Sequence, residues 1–187
     1  MNIEERIKEL IESNPGQMTQ DEYIAIANHI SKSAPCNLLI FGTGRDSNLW
    51  EELNEGGTTL FLEHDPYWVE QSGTDKAVLV EYFTKRPDWE ALLKDPPALM
   101  MALPERVTDV EWDTILVDAP TGYDDDKPGR MQSIYTSAQL AKGIAKDTHV
   151  IVHDVHRTVE NVYSLLFLGM DNIHNEVHHL RHFIIKS

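Results

Sequence analysis

A chain of 187 residues is long enough to bury a substantial core as one domain, and its formal net charge of −15 opposes binding to the phosphate backbone of nucleic acid. No run approaches the ~18 apolar residues of a membrane span, and the single cysteine, Cys36, cannot form an internal disulfide. The charged N-terminus, MNIEERIKELIESN, lacks the apolar segment of a signal peptide. These features predict a soluble cytoplasmic protein with no nucleic-acid partner and no membrane span.

Two helices are predicted at the N-terminus. Apolar residues recur at helical spacing over 2–13, and Thr19 is a candidate N-cap for a second helix over 19–32. We assign residues 1–35 to these helices, which either form a lid over a pocket or pack on the edge of a sheet. Residues 36–187 form the catalytic core of the same single domain in this interpretation.

Short apolar strands and helices alternate through the rest of the chain. Strands are predicted at 37–41, 58–62, 77–83, 113–117 and 148–152, and helices at 47–54, 66–71, 88–94, 132–145 and 156–167. This alternation indicates a parallel sheet covered by helices on both faces. Two closing runs, 173–178 and 180–185, are separated by very little chain and predict an antiparallel hairpin. The expected fold is α/β, the mostly parallel Rossmann-like sheet of class I methyltransferases with a C-terminal antiparallel hairpin.

The ends of the first two strands predict a cofactor site. Gly42 and Gly44 follow strand one, where glycine lets a backbone approach a ligand closely, and Glu63 ends strand two at a spacing suited to ribose hydroxyls. The same features would serve NAD, but Ser47 replaces the third glycine of the dinucleotide fingerprint. Asp46 is a poor neighbour for a pyrophosphate and a good one for a sulfonium or amino group. The cofactor-binding candidates Gly42, Gly44, Asp46 and Glu63 therefore favour S-adenosylmethionine over NAD.

Acidic and imidazole groups follow strands four and five. Asp118 comes directly after one apolar run, and His153 and Asp154 come directly after the other, so all three are expected at the edge that carries the glycines. A positioned base accelerates proton removal from a hydroxyl by about 10²–10⁴-fold, and a divalent cation lowers the pKa of the hydroxyl. We predict Asp118, His153 and Asp154 as catalytic residues and as candidate ligands of a divalent metal ion, with Asp118 also touching the cofactor. A helix cap beside a hydrogen-bonded histidine is the alternative for His153 and Asp154.

The polar segment TGYDDDKPGRMQSIY, residues 121–135, is predicted to be a long functional loop. The guanidinium of Arg130 is suited to hold a substrate carboxylate bidentately, and pairing with an aspartate of 124–126 is the alternative. The other substrate-binding candidates are Tyr123, Tyr135 and Arg157.

The chain resembles the glucuronoxylan 4-O-methyltransferases of plant cell-wall polysaccharide synthesis and their microbial relatives. The matching stretches are FGTGRDSNLWEELNEGGTTLFLEHDPYW, EWDTILVDAPTGYDDDKPGRMQSIYT, VIVHDVHRTVE and LRHFII, spread over about residues 38–185. The segments VDAPTGY, PGRM and IYT are the most specific. The family usually carries histidine at the position of Arg45.

This resemblance implies an S-adenosylmethionine-dependent enzyme that methylates a sugar hydroxyl, the 4-hydroxyl of a glucuronic acid residue in a poly- or oligosaccharide, and it also implies a divalent metal ion. A uronic-acid-containing carbohydrate is thus the expected partner. Carried over by motif, Gly42, Gly44 and Glu63 belong to the cofactor site, and Asp118, Tyr123, Arg130, His153 and Asp154 line the acceptor site. Two alternatives remain: an NAD-dependent oxidoreductase, which the missing third glycine disfavours, and a non-catalytic carbohydrate-binding module, which the acidic and imidazole groups disfavour.

Overall fold

The structure, a computed structural model, describes residues 2–187. The α-helices of this part of the chain are α1 (Ile3–Ser13), α2 (Gln20–Ser33), α3 (Ser47–Leu53), α4 (Pro66–Ser72), α5 (Trp89–Leu92), α6 (Glu105–Thr108), α7 (Met131–Leu140) and α8 (Thr158–Ser164). The strands are β1 (Asn37–Phe41), β2 (Thr58–Glu63), β3 (Ala77–Leu79), β4 (Thr114–Val117), β5 (Thr148–Val152), β6 (Ile173–Val177) and β7 (Leu180–Ile185). Across residues 2–187, no helix has the length and apolar character needed to span a bilayer.

All of these strands form one sheet in the order β3-β2-β1-β4-β5-β7-β6. The first five strands of the chain are parallel, and β7 lies antiparallel between β5 and β6. The predicted fold class is confirmed, including the closing hairpin. The strand order reverses between β1 and β4, and an open α/β sheet forms its ligand crevice beyond the carboxyl ends of the strands at such a point.

Alternate residues of the central strands enter two separate hydrophobic cores. Leu39 and Phe41 of β1 face a core that also contains Tyr163 of α8. Leu38 and Ile40 face the opposite core with residues of α2 and α3. Because both faces of a parallel strand are covered, β1 is apolar throughout rather than alternating.

Among the predicted boundaries that differ from the structure, two lie where tertiary contacts compete with local pattern. The strand predicted at 77–83 ends at Leu79, and the chain then turns toward α7, where the backbone N–H of Phe83 donates to the Gln132 side chain at 2.9 Å. The loop predicted over 121–135 ends at Arg130, since α7 begins at Met131. This second difference changes the surroundings of two predicted site residues.

Candidate active site

A cavity of about 320 Å³ opens at the carboxyl ends of β1, β2 and β4. The predicted site residues on its wall are Gly42, Gly44, Asp46, Glu63, Asp118 and Tyr123. The predicted residues that lie outside its wall are Arg130, Tyr135, His153, Asp154 and Arg157. The structure therefore brings the cofactor candidates together with one of the three catalytic candidates.

The glycine turn after β1 needs residues without a side chain. Gly42 has a φ of +110°, and a Cβ there would lie 2.9 Å from the Cβ of Ala119. A Cβ on Gly44 would lie 2.8 Å from a carboxylate oxygen of Asp46. The N–H of Gly44 donates to the hydroxyl of the buried Ser47 at 3.0 Å. The residue that replaces the third glycine thus stabilises this turn.

Glu63 presents an ionised carboxylate at the end of β2. It accepts the backbone N–H groups of Thr43, His64 and Asp65 at 3.0, 2.7 and 2.8 Å. Burial alone would raise the pKa of Glu63, but the hydrogen bonds from the His64 side chain and these backbone groups outweigh it and lower the pKa. The contact of Oε2 with the Thr43 hydroxyl is long, at 3.4 Å, so this oxygen retains capacity to accept a ligand hydroxyl.

Asp46 is a carboxyl group on the cavity wall that makes no ion pair with another residue of 2–187. It stands at the N-cap position of α3, but its side chain makes no capping hydrogen bond. Burial, and then the charge of Asp118, raise the pKa of Asp46 to about 6. A cationic group in the cavity would relieve the cost of ionising this carboxyl.

Asp118 is held by two cationic neighbours behind the cavity wall. Its Oδ1 lies 2.9 Å from Nδ1 of His153 and 3.1 Å from Nη2 of Arg130. Burial alone would raise the pKa of Asp118, but Arg130 and then His153 outweigh it and lower the pKa. The site thus presents a fixed anion to the cavity.

His153 lies behind Asp118 and is 6% exposed. Its Nε2 is 3.7 Å from the carboxylate of Glu22, which also accepts the backbone N–H groups of Thr19 and His179 at 2.7 and 2.8 Å. Burial alone would lower the pKa of His153, but its hydrogen bond to Asp118 and the charge of Asp118 outweigh it and raise the pKa. His153 does not line the cavity, and its predicted catalytic role stays a prediction.

The structure places Arg130, the predicted partner of a substrate carboxylate, behind the cavity wall and pairs it with protein carboxylates. Arg130 is 4% exposed, and its guanidinium pairs with Asp118 and with Asp154 at 2.7 Å and donates to the carbonyl of His153 at 2.7 Å. Because those donors are taken by the protein, the side chain is not free to bind a ligand. Nor does it pair with an aspartate of 124–126.

The same guanidinium pairs with two of the three predicted metal ligands. One ligand atom each from Asp118, His153 and Asp154 lies within 4.8 Å of the others, as a metal site would require. However, Nη2 of Arg130 contacts both carboxylates and already supplies the positive charge between them. A divalent cation there would have to displace a buried arginine, so these residues do not fit one.

Two other residues predicted to contact the substrate, Tyr135 and Arg157, also lie outside the cavity wall. Tyr135 lies on α7 and packs edge to face on Phe167 at 5.1 Å, in the core rather than the cavity. Arg157 pairs with Asp154 at 3.0 Å, outside the cavity wall. Tyr123, in contrast, is 63% exposed at the cavity mouth.

Several residues on or near the cavity wall were not predicted from the sequence as site residues. Tyr23 of α2, Trp68 of α4 and Lys127 line the cavity, and Glu22 supports His153. Only Glu22 had a local signal, because Thr19 and Glu22 form a capping box at the start of α2. That signal predicts a helix start and says nothing of a distant histidine.

The strand order, the closing hairpin and this cavity define the class I methyltransferase fold. A solved structure described as MycE methyltransferase from the mycinamycin biosynthetic pathway in complex with Mg and SAH has a similar fold, with a TM-score of 0.54 at 12% identity. The match covers 97% of this chain and 48% of that one. At this identity it shows the fold alone.

The chain belongs to the IRX15/IRX15L/GXM family, whose model matches residues 21–98 and 92–183. It is 40% identical over 194 residues to glucuronoxylan 4-O-methyltransferase 2 of Arabidopsis thaliana, covering 91% of this chain and 67% of the relative. It is 39% identical over 197 residues to arabinogalactan O-methyltransferase 2 of the same plant, covering 91% and 68%. The predicted family and methyltransferase activity are confirmed.

The predicted cytoplasmic location is wrong. The relatives are named for glucuronoxylan and arabinogalactan, and enzymes that modify such cell-wall polysaccharides are normally associated with the Golgi. The charged N-terminal segment on which the prediction was based folds as α1 of the domain.

Proposed function

We propose that the chain is an S-adenosylmethionine-dependent O-methyltransferase whose acceptor is the 4-hydroxyl of a glucuronic acid residue in a poly- or oligosaccharide. The observation that carries this proposal is the anionic carboxylate of Asp118 on the wall of the cavity that also contains Gly42, Asp46 and Glu63. The names of the relatives support a polysaccharide acceptor.

The cavity residues fit S-adenosylmethionine by their chemistry. The carboxyl of Asp46 suits a sulfonium or amino group, and the free capacity of Glu63 suits ribose hydroxyls. The turn at Gly42 allows close approach of the backbone, and Trp68 offers an apolar wall for a flat ring. When bound, S-adenosylmethionine supplies an electrophilic methyl group.

Asp118 performs two tasks in this proposal. Its carboxylate accepts a hydrogen bond from the acceptor hydroxyl, which orients the oxygen, and it takes the proton as methyl transfer proceeds. Such a positioned base is worth about 10²–10⁴-fold in rate. Arg130 and His153 act as positioning residues, because their contacts with Asp118 hold its charge and its orientation.

Lys127 replaces Arg130 as the proposed partner of the uronate carboxylate. The lysine and arginine residues on the cavity wall are Arg45, which donates to the carbonyl of Ser13 at 2.6 Å, and Lys127. Among residues 2–187, Lys127 makes no ion pair, and its Nζ lies 5.7 Å from the centre of the Tyr123 ring. Together, Lys127 and Tyr123 offer a charge for the carboxylate and a flat surface for the sugar ring.

We further propose that residues 1–35 and 36–187 form one domain. Tyr23 of α2 lines the cavity, and Ile26 and Ile30 of the same helix are fully buried in the core shared with β1. These contacts favour a fixed wall of the cavity over a mobile lid.

Calorimetry with S-adenosylmethionine, S-adenosylhomocysteine and NAD tests the cofactor, and radiolabelled methyl transfer to glucuronic-acid-containing xylo-oligosaccharides tests the acceptor. We expect the first two ligands to bind and NAD not to bind. Asp118→Asn should lower kcat by about 10²-fold or more with little change in cofactor affinity, whereas the exposed control Asp171→Asn should not. Binding of NAD alone would contradict the cofactor, and methylation of neutral oligosaccharides only would contradict the acceptor.

A further inference from the structure

Three histidines from distant parts of the chain converge at a place that the proposed chemistry does not use. They are His29 of α2, His149 of β5 and His182 of β7, and all are partly buried. Nδ1 of His149 lies 2.8 Å from Nε2 of His182. The ring of His29 lies 4.6 and 4.8 Å, centre to centre, from those two rings.

The separations between the ring nitrogens suit a transition metal. One nitrogen from each ring lies within 4.8 Å of one nitrogen of each other ring. Zinc binds imidazole nitrogens at about 2.0–2.1 Å, which places tetrahedral ligands roughly 3.4 Å apart. Small rotations of the three rings would therefore bring their lone pairs onto one ion. The Thr114 hydroxyl lies 2.9 Å from Nε2 of His29 and helps to orient that ring.

The cluster borders a cleft that an ion can enter. His29 and His182 line a cleft of about 320 Å³ together with His174 of β6. The ring of His174 is 5.1 Å from that of His182, and this residue is exposed. A fourth ligand position is therefore open to His174 or to water.

The imidazoles are in the form that a metal requires. Burial, followed by the charges of neighbouring histidines, lowers the pKa of His29 to about 4 and that of His182 to about 3. Burial also lowers the pKa of His149. Neutral rings keep a nitrogen lone pair for coordination at pH 7.

We propose that His29, His149 and His182 form a structural site for a divalent transition metal of the zinc type. His149 lies near the start of β5, whereas Asp118 follows the end of the neighbouring parallel strand β4, so the two sites lie at opposite ends of these strands. The ion ties α2 to β5 and β7. Because α2 carries Glu22 and Tyr23, the metal fixes the helix that supports His153 and lines the cavity.

The test uses the full chain, stripped with EDTA and titrated with Zn²⁺ by calorimetry and with Co²⁺ by visible spectroscopy. We expect one equivalent to bind, a tetrahedral Co²⁺ spectrum and a rise in Tm with Zn²⁺. His29→Gln and His182→Gln should each weaken Zn²⁺ binding by about 100-fold or more. Loss of a metal ligand weakens binding more than loss of a residue that hydrogen-bonds to a ligand, which costs about 10–100-fold. His178→Gln is the matched control, because it removes an exposed histidine of the same hairpin.

Two outcomes would overturn the proposal. One is wild-type Zn²⁺ binding no tighter than that of the two ligand variants. The other is binding that Asp118→Asn abolishes and His29→Gln leaves intact, which would place the ion in the proposed active site. NMR signals of the histidine rings provide a measurement on the wild type alone, in which Zn²⁺ must shift the rings of His29, His149 and His182 and leave that of His178 unchanged.

Discussion

Nη2 of Arg130 lies 3.1 Å from a carboxylate oxygen of Asp118 and 2.7 Å from one of Asp154. This guanidinium therefore joins the ends of β4 and β5, from which the two aspartates project. A single buried cation compensates two carboxylates that would otherwise repel one another. The anionic state of Asp118 depends on it, because Arg130 is the strongest influence that lowers the pKa of Asp118 against the effect of burial.

Arg130→Met should lower the free energy of unfolding by about 3–5 kcal/mol, since it leaves two partly buried carboxylates without their partner. Urea denaturation measures this loss. Arg86→Met is the matched control, because Arg86 pairs with Asp125 at the surface and such pairs contribute about 0.2–1 kcal/mol. Equal losses in the two variants would contradict the assignment of Arg130 as the buried support of the site.

Gly42→Ala should weaken binding of S-adenosylmethionine and destabilise the protein. The added Cβ meets the Cβ of Ala119 at 2.9 Å, and the φ of +110° is unfavourable for alanine. Gly143→Ala separates these two effects, because Gly143 also has a positive φ, +73°, but has no atom within 4 Å of an added Cβ. We expect Gly143→Ala to cost about 1 kcal/mol from backbone conformation alone and to leave cofactor affinity unchanged.

If Gly42→Ala loses no more stability and no more cofactor affinity than Gly143→Ala, the contact with Ala119 is unimportant. Calorimetry with S-adenosylmethionine and thermal unfolding distinguish the effects on binding and on stability.

Asp46→Asn should stabilise the unliganded protein at neutral pH and weaken cofactor binding. The pKa of Asp46 is raised from 3.8 to about 6, so the folded protein binds this proton more tightly than the unfolded chain does. The contribution of Asp46 to stability is therefore greatest below about pH 4 and is lost as the pH rises through about 6. At about 1.4 kcal/mol per pKa unit, the cost of the wild-type carboxyl at pH 7 is up to about 3 kcal/mol.

Urea denaturation of the wild type and of Asp46→Asn from pH 4 to pH 8 tests whether the stability difference between them increases with pH. The stability difference should grow with pH and level off above 7, and a difference independent of pH would contradict it. Asp171→Asn serves as the exposed control.

The sheet and the position of the cavity were predictable because they depend on local pattern. Uninterrupted apolar runs such as that of β1 are typical of buried parallel strands. Gly42 and Glu63 indicate the strand ends where ligands bind. The role of Arg130 was not predictable, because its partners are brought to it by the sheet. The start of α7 was predicted at 132, within one residue of Met131, although Arg130 at the N-cap makes no side-chain capping hydrogen bond. Tyr135 belongs to both the predicted loop and the predicted helix, and its contact with Phe167 is a tertiary contact that local pattern does not predict.

Lys127→Met should raise KM for acceptors that carry a uronate carboxylate, with a smaller effect on kcat. In the proposed complex the ammonium group attracts the carboxylate and does not touch the reacting hydroxyl, so its loss removes binding shared by substrate and transition state. A single partly exposed ion pair of this kind supports an increase of about 5-fold, corresponding to about 1 kcal/mol. The matched control is Lys142→Met, which removes an exposed lysine that lies outside the cavity wall.

The decisive comparison uses two acceptors that differ only in the carboxylate, a glucuronic-acid-substituted oligosaccharide and its carboxyl-reduced form. Lys127→Met should close the gap in kcat/KM between them, and added salt should reduce the gap in the wild type because it screens an exposed pair. If the variant lowers kcat/KM equally for both acceptors, Lys127 supports the loop around Tyr123 and does not recognise the carboxylate of the acceptor. In that case the carboxylate must be recognised by another basic group of the cavity wall, and Arg45 and His64 are the candidates.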